Sequence, residues 1–262
     1  MNLQLTGKTA IVTGASRGIG LAIAQALSRE GVSVVGTART ITSEMKRACE
    51  TTVSADLSTP EGVRNVIDVA TATYGGIDIL INNVGAGDTK HLKLGSFLEA
   101  NDEQWRNLLD LNLFSAVWAS RAALPSLITR RGVIINIASI NARVPAPGPV
   151  GYSEAKAALV AFSKRLSEEF GPCGVRVNTV SPGPVGTGLW RDESGFGANV
   201  ASAYGVTHED FLVSMPTTFG MTSGHIVEPE EVAELITFLA SPITPNLIGT
   251  NIVIDGGIVK TS

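Results

Sequence analysis

The chain has 262 residues, of which 44% are hydrophobic and 17% charged, so it can bury a substantial core and is not expected to be disordered. The net charge of −4 gives no indication of a nucleic-acid partner, because surfaces that bind phosphates normally carry a basic excess. The two cysteines, Cys49 and Cys173, lie far apart and form no metal-binding cluster, which favours a reduced, intracellular setting.

The N-terminal residues lack the basic and long apolar regions of a signal peptide. The longest apolar runs, such as 133–135, are far shorter than the roughly 20 residues that cross a bilayer. We therefore expect a soluble, cytoplasmic protein with no membrane partner.

Short strand-like runs alternate with longer helical patterns along most of the chain. Strands are predicted at 9–13, 33–37, 52–55, 77–81, 133–137 and 175–180, with a final strand within 251–257. Helices are predicted from the end of a Gly-rich turn to Gly31, from Pro60, and at about 102–128, 153–170 and 230–239. Because most strands are continuously apolar, we expect an α/β fold with a parallel sheet between two helical layers. No linker divides the chain, so residues 1–262 are expected to form one domain.

The segment at about 183–228 departs from this regularity. It is rich in Gly, Ser, Thr and Pro and has weak periodicity. A segment of this length inside a compact domain is usually a lid or a binding loop, and an insertion without function is the alternative.

A Gly-rich turn joins the first strand to the first helix. Gly14, Gly18 and Gly20 allow the backbone to turn tightly and to approach a pyrophosphate, which would lie against the N-terminus of the helix. A strand, a turn of this kind and a helix in succession predict a nucleotide site.

The turn reads Thr-Gly-x-x-x-Gly-x-Gly, and on this fingerprint the chain resembles the short-chain dehydrogenase/reductase family from Lys8 to about Gly257. Residues 82–85, Asn-Asn-Val-Gly, resemble the family's Asn-Asn-Ala-Gly element, with Val84 in place of alanine. The resemblance implies a Rossmann-type three-layer sandwich with a seven-stranded parallel sheet, and hydride transfer between a nicotinamide cofactor and a carbonyl or alcohol. It also implies a set of cofactor-binding residues: Gly14, Ser16, Arg17, Gly18, Ile19, Gly20, Asp56, Leu57, Asn83, Gly85, Pro182, Gly183, Val185 and Thr187.

The end of the second strand indicates which cofactor binds. NAD sites place a carboxylate there for the ribose 2′-hydroxyl, whereas an arginine suits the 2′-phosphate of NADP. Here the strand ends in Thr37, Ala38 and Arg39, without a carboxylate. We expect Thr37 to donate a hydrogen bond to the phosphate and Arg39, together with Arg17, to pair with it. The sequence therefore predicts NADP(H).

Four further residues match the catalytic set of the family at the family's spacing: Asn112, Ser139, Tyr152 and Lys156. Tyr152 and Lys156 are four positions apart, so they share one face of a helix, and Ser139 directly follows the fifth strand. A nearby ammonium is expected to lower the pKa of the phenol, so that Tyr152 serves as general acid and base. By resemblance, Ser139 holds the reacting oxygen, Tyr152 and Lys156 also contact the cofactor, and Asn112 kinks its helix and holds a water.

Four other interpretations compete with a simple carbonyl reductase. Sugar-nucleotide epimerases are longer, and divergent enoyl reductases place more residues between tyrosine and lysine, so both are disfavoured. A non-catalytic NADPH sensor would normally lose part of the catalytic set, which is complete here. A ketoreductase for carrier-bound β-ketoacyl chains remains open, although Cys173 stands where such proteins tend to carry a basic residue. Arg130 and Arg131 would supply part of a docking patch, but the acidic net charge gives this no support.

The substrate is the least determined feature. An apolar ketone, aldehyde or secondary alcohol is expected from the residues around the predicted pocket: Ile140, Ala142, Val144, Pro145, Pro147, Val150, Leu189 and Trp190. Arg191 is a further candidate for the pocket. No catalytic role is assigned to His91, His208 or His225 and no metal is expected. By family resemblance we expect a homotetramer, with a dimer as the alternative.

Overall fold

The computed structural model describes residues 1–85, 97–145 and 149–260. Within them lies one parallel sheet of seven strands, in the order β3-β2-β1-β4-β5-β6-β7. The strands are β1 (Thr9–Thr13), β2 (Ser33–Ala38), β3 (Thr51–Ser54), β4 (Ile79–Asn82), β5 (Val133–Ile137), β6 (Arg176–Pro182) and β7 (Asn251–Ile254). This arrangement confirms the predicted fold class.

Helices cover both faces of the sheet. They are α1 (Gly18–Arg29), α2 (Ser43–Ala48), α3 (Pro60–Tyr74), α4 (Asp102–Leu109), α5 (Ser115–Arg130), α6 (Tyr152–Phe170), α7 (Gly188–Arg191), α8 (Phe196–Tyr204), α9 (His208–Thr218) and α10 (Pro229–Ala240). One core lies between the sheet and helices α1, α2 and α10, and the other between the sheet and helices α3, α5 and α6. In β1, β4 and β5 every residue is buried, as expected for central strands with helices on both sides.

Local signals explain where helix α3 begins and ends. The Thr59 hydroxyl accepts a hydrogen bond from the Gly62 N–H at 3.2 Å, and Pro60 occupies the first turn, where its missing N–H has no cost. The helix ends at Gly75, which adopts a left-handed conformation with φ 69°. The prediction of a helix from Pro60 is confirmed.

The helix predicted at about 102–128 is not continuous. A π-helical turn at Asp110–Phe114 separates α4 from α5, and Asn112 lies in it. The Asn112 side chain donates to the Leu108 carbonyl oxygen at 2.9 Å, one turn earlier. Turns of this type commonly mark functional sites, and this one is the break that the family resemblance implied at Asn112.

The segment at 183–228 contains helices α7, α8 and α9 rather than a plain loop. They enclose an aromatic cluster in which the Trp190 ring contacts Phe196, Phe211 and Phe219 at centroid distances of 5.4, 6.4 and 5.7 Å. The helices are short, so their apolar residues do not repeat long enough to produce a periodic pattern in the sequence. Among the described helices, none is both long and apolar enough to cross a membrane.

The strand order places a crevice at the centre of the sheet. Chain progression reverses at β1, which pairs with β2 on one side and with β4 on the other. Ligands of open parallel sheets bind at such a reversal, beyond the carboxyl ends of the strands.

Candidate active site

A cleft of about 700 Å³ opens beyond the carboxyl ends of the strands. It brings together all of the predicted site residues except Thr37 and Asn112. The predicted residues that line it are Gly14, Ser16, Arg17, Gly18, Ile19, Gly20, Arg39, Asp56, Leu57, Asn83, Gly85, Ser139, Tyr152, Lys156, Pro182, Gly183, Val185 and Thr187.

Thr13 and Asn83 fasten the Gly-rich turn to the end of β4. The Thr13 hydroxyl donates to the Ile81 carbonyl oxygen at 3.1 Å and accepts from the N–H groups of Asn83 and Val84 at 2.8 and 3.0 Å. The Asn83 amide in turn donates to the Thr13 carbonyl oxygen at 2.9 Å. The backbone of the turn is therefore held rigidly at one end of the cleft.

The glycines of this turn fit a pyrophosphate. A side chain at Gly20 would collide with the carbonyl oxygen of Gly14 and would lie 2.5 Å from the Asn83 amide nitrogen. Gly14 and Gly18 have φ values of 68° and 55°, which disfavour other residues. Helix α1 begins at Gly18 with no side-chain cap from Arg17, so its first N–H groups can bind an anion.

Arg39 lines the cleft next to Asp56, at the side where β2 ends. Hydrogen bonds from the Ser58 hydroxyl and N–H lower the pKa of Asp56, and the charge of Arg39 lowers it further. The Asp56 carboxylate is thus engaged in its own turn by Ser58, and Arg39 is the neighbouring cation in the lining of the cleft.

The structure contradicts the predicted contact of Thr37 with a 2′-phosphate. Thr37 is 0% exposed, and within the described residues its hydroxyl has no hydrogen-bond partner. Side chains alternate along a strand, and here Ala38, not Thr37, lines the cleft. Thr37 points into the core instead.

The predicted catalytic residues lie at the other end of the cleft. Ser139 precedes a short 3₁₀ turn, and its hydroxyl accepts from the Asn141 N–H at 3.1 Å. Tyr152 is the first residue of α6, where the Glu154 carboxylate accepts from the Gly151 N–H at 2.7 Å. One turn later, Lys156 Nζ lies 5.8 Å from the centre of the Tyr152 ring.

Lys156 is buried between β5 and Gly85. It is 3% exposed, and its Nζ donates to the Ile137 carbonyl oxygen at 2.8 Å. A Cβ on Gly85 would lie 2.8 Å from Lys156 Nζ and 2.7 Å from Asn112 Oδ1. Asn112, which is 1% exposed, therefore lies behind the cleft wall on the same side of Gly85 as the lysine.

The family model described as enoyl-(acyl carrier protein) reductase matches residues 14–259. The chain belongs to the short-chain dehydrogenase/reductase family. It is 33% identical to the 3-oxoacyl-[acyl-carrier-protein] reductase FabG of Vibrio cholerae, over 97% of this chain and 98% of the relative. It is 35% identical to the oxidoreductase UcpA of Escherichia coli K12, over 97% and 95%.

Solved structures of the same family superpose over the whole chain. L-sorbose reductase from Gluconobacter frateurii, complexed with NADPH and L-sorbose, has a TM-score of 0.91 and 32% identity, and each chain is covered fully. Ligand-free aldohexose dehydrogenase from Thermoplasma acidophilum has a TM-score of 0.88 and 28% identity, with 100% of this chain and 98% of that chain covered. This member of the family is accordingly an oxidoreductase of carbonyl and alcohol groups, as predicted.

The structure corrects the expected electrostatics of this short-chain dehydrogenase/reductase. Burial raises the pKa of Tyr152, and only the contact with the Ser139 hydroxyl acts in the other direction. Burial also lowers the pKa of Lys156 to about 7. The structure therefore does not bear out the prediction that a charged lysine lowers the pKa of the phenol: desolvation is the dominant influence on that pKa, and the Ser139 contact is the opposing one.

Only part of the apolar pocket expected from the sequence is found in the lining of the cleft among the described residues. Of the expected apolar residues that the structure describes, Leu189 and Trp190 line the cleft, and Pro147 lies outside the described residues. The polar residues that sequence reasoning missed here are Asn107, Asp110, Asp192 and Ser194. They belong to no motif: Asn107 lies in α4, Asp110 in the π-helical turn and the other two after α7, and only the folded chain brings them to one cleft.

The remaining candidates have structural roles. Arg191 does not line the cleft, since its guanidinium pairs with Glu228 at 2.6 Å. A ring nitrogen of His208 lies 2.7 Å from the Trp190 carbonyl oxygen, and His91 falls outside the described residues. Across residues 1–85, 97–145 and 149–260, no group of histidine, cysteine and acidic side chains could hold a metal.

Proposed function

We propose that the cleft binds NADP(H) along the Gly-rich turn and reduces a small ketone or aldehyde, or oxidises the corresponding alcohol, at Ser139 and Tyr152. NADP(H)-dependent interconversion of carbonyl and alcohol groups is the reaction class that the family and its relatives support. The observation that carries the site assignment is the placement of Ser139, Tyr152 and Lys156 in one cleft with the glycine turn and Arg39. The cofactor supplies or accepts the hydride when it is bound.

Each catalytic residue has a separate task in this scheme. The Ser139 hydroxyl donates a hydrogen bond to the substrate oxygen and holds it near Tyr152. The Tyr152 hydroxyl gives its proton to that oxygen during reduction and takes it back during oxidation. Lys156 holds the ribose next to the reacting centre, and Asn112, behind Gly85, supports Lys156 and its link to solvent.

Arg17 and Arg39 select the 2′-phosphate. Arg39 lines the cleft at the end of β2, a strand that ends without a carboxylate of its own, and Arg17 lines it from the glycine turn. The nearby Asp56 carboxylate is held by hydrogen bonds from Ser58. NADPH in the similar L-sorbose reductase supports this choice. The other cofactor residues follow the cleft from the turn to Thr187.

The test replaces Tyr152 with phenylalanine and screens a panel of ketones and aldehydes for NADPH oxidation. We expect Tyr152→Phe to lower kcat/KM by about 10²–10⁴-fold, because the proton donor is lost, while NADPH binds within about threefold of the wild type. Tyr204→Phe, on the exposed surface of α8, is the matched control and retains full activity. A wild type and a mutant that are equally inert, but still bind NADPH, would favour the sensor reading.

A second candidate is reduction of β-ketoacyl chains on a carrier protein, because FabG of Vibrio cholerae is among the relatives. The proposed docking patch is small, since Arg130 pairs internally with Asp78 at 3.3 Å. A ketoacyl carrier protein and the free ketoacyl thioester should be compared at equal concentration. A kcat/KM at least tenfold higher for the carrier-bound form would select this candidate.

We also propose a single catalytic domain, with residues 183–228 as the lid, that forms a homotetramer in the cytoplasm. The rings of Phe114 and Trp118 stack on the outer side of the π turn and α5, and Phe114 is 40% exposed. Strand β7 ends the sheet with half-buried residues. Both surfaces would pack against another copy of the chain in the proposed homotetramer. Light scattering after gel filtration distinguishes a tetramer from a dimer.

A further inference from the structure

The turn at 188–195 directly follows Thr187 and presents side chains to the substrate end of the cleft. The N–H groups of Trp190 and Arg191 donate to the Thr187 carbonyl oxygen, both at 2.9 Å. Gly195 closes the turn by donating to the Asp192 carbonyl oxygen at 2.8 Å, and a Cβ there would lie 2.6 Å from the Gly188 carbonyl oxygen. The turn is therefore compact, and it fixes the directions in which its side chains project.

Trp190 offers an apolar surface next to the reacting phenol. Its ring is held on one side by the aromatic rings of α8 and α9, among them Phe196 and Phe211. Tyr152 and Leu189 pack against the same cluster. The indole is half-buried and lines the cleft, so it can cover one C–H face of a small substrate.

Asp192, two positions after Trp190, offers a hydrogen-bond acceptor in the same turn. Its carboxylate lies over Gly188, where an added Cβ would be 2.9 Å from Asp192 Cγ, so a side chain at Gly188 would displace it. The neighbouring cation, Arg191, is paired with Glu228 instead. Asp192 is an exposed residue of the cleft lining, and within the described residues its side chain forms no ion pair and no hydrogen bond, so the carboxylate is open to a ligand.

We infer that Trp190 and Asp192 determine specificity, and that they select a small polyhydroxylated ketone or the corresponding polyol. A carboxylate only accepts hydrogen bonds, so the ligand must supply O–H donors, while the indole covers its C–H face. An apolar ketone bound against the carboxylate would displace water from it without offering a donor in return, and an anionic substrate would be repelled. This inference rests on the proposed function and names the substrate class of the same site.

The experiment compares two ketones with the same four-carbon chain, L-erythrulose with hydroxyl groups and 2-butanone without them. With NADPH we expect the wild type to prefer erythrulose in kcat/KM by at least about 100-fold. Asp192→Ala is expected to lower kcat/KM for erythrulose by about 10–100-fold through a higher KM, and to change that for 2-butanone less than threefold. Glu193→Ala, an exposed neighbour outside the cleft lining, is the matched control and leaves both values unchanged.

Binding provides a readout that does not depend on turnover. Erythritol should raise the melting temperature of the wild type in the presence of NADP⁺, and this rise should disappear in Asp192→Ala, while the rise caused by NADP⁺ alone remains. Trp190→Phe, which keeps an aromatic ring in the cluster, should weaken erythritol binding less than Asp192→Ala.

Three results would overturn the inference. The first is a wild type that reduces 2-butanone better than erythrulose. The second is an Asp192→Ala enzyme that reduces erythrulose as well as the wild type, and the third is an equal loss on both ketones, which would indicate a structural role. In each of these cases the proposed carbonyl reduction stands, whereas a wild type that oxidises NADPH with no carbonyl compound refutes the proposed function as well.

Discussion

Replacing Lys156 with methionine should stabilise the protein at neutral pH, although it removes a residue of the proposed catalytic set. Burial lowers the pKa of Lys156 from 10.5 to about 7. At about 1.4 kcal/mol per pKa unit, holding this amine in the folded protein costs up to about 5 kcal/mol whenever the unfolded chain would be protonated. The side chain is 3% exposed, so solvent does little to screen this cost.

The sign of the pH dependence follows from the two pKa values of the lysine. Between pH 7 and about 10.5 the unfolded chain binds a proton that the folded protein has released, so the free energy of unfolding rises with pH. The cost is complete below pH 7 and absent above about pH 10.5. The methionine variant lacks this dependence, but it leaves the Ile137 carbonyl oxygen without the donor that now lies at 2.8 Å, at a cost of about 1–3 kcal/mol.

The two effects predict a crossover between the stability curves. Lys156→Met should be more stable than the wild type by about 2–4 kcal/mol at pH 7, and less stable by about 1–3 kcal/mol above pH 10. Urea unfolding at intervals from pH 6 to 10.5 measures the difference in the free energy of unfolding between the two proteins. Titratable groups that both proteins share largely cancel in this difference. Lys164→Met, an exposed lysine on the same helix, should stay within about 0.5 kcal/mol throughout. A methionine variant that is less stable at pH 7, or a constant difference across the range, would refute the reasoning.

Three further substitutions test the cofactor end of the cleft. In steady-state kinetics, Arg39→Ala should raise the KM for NADPH about 10–100-fold and the KM for NADH less than threefold. Equal increases in the two KM values would exclude a contact of Arg39 with the 2′-phosphate. Gly20→Ala should weaken NADPH binding more than tenfold in a fluorescence titration and lower the Tm, because the added methyl group collides with the Gly14 carbonyl oxygen. Ser28→Ala, at an exposed position of the same helix, is the control. Thr37→Val should leave the Kd for NADPH unchanged. It should also raise the free energy of unfolding by up to about 1 kcal/mol, because the buried hydroxyl has no partner among the described residues. A loss of NADPH affinity would instead support the contact with the phosphate that the sequence predicted.

The parts of the site that lie at the ends of regular elements were predictable from the sequence. A continuously apolar strand has to be central in a parallel sheet, and the residue after it has to lie at the carboxyl edge. The glycine turn after β1 and Ser139 after β5 follow from this rule. Tyr152 and Lys156 follow from helical spacing, which places them on one face of α6.

The direction in which a side chain points, and the protein that surrounds it, could not be predicted from the sequence in the same way. A strand buried on both sides gives no alternation to show which face Thr37 points to, and it points to the core. The contribution of Asp192 depends on a compact turn whose hydrogen bonds join 187 to 191 and 192 to 195, and these leave no periodic pattern. The pKa values of Tyr152 and Lys156 depend on how much protein surrounds them, whereas the sequence supplies only their spacing.

The state of Tyr152 in the protein without ligands can be measured directly. Burial raises the pKa of its phenol above the ordinary value of 10.0, and the nearby lysine, with a pKa of about 7, is largely uncharged above neutral pH and cannot oppose this. The phenol should therefore keep its proton throughout the neutral range, as a general acid that protonates a carbonyl oxygen requires. The ultraviolet phenolate absorbance of the wild type minus that of Tyr152→Phe isolates this residue from Tyr74 and Tyr204. A phenolate signal from Tyr152 that is half complete below pH 9 would show that the amine is charged and dominates the phenol, and would contradict the effect assigned to burial.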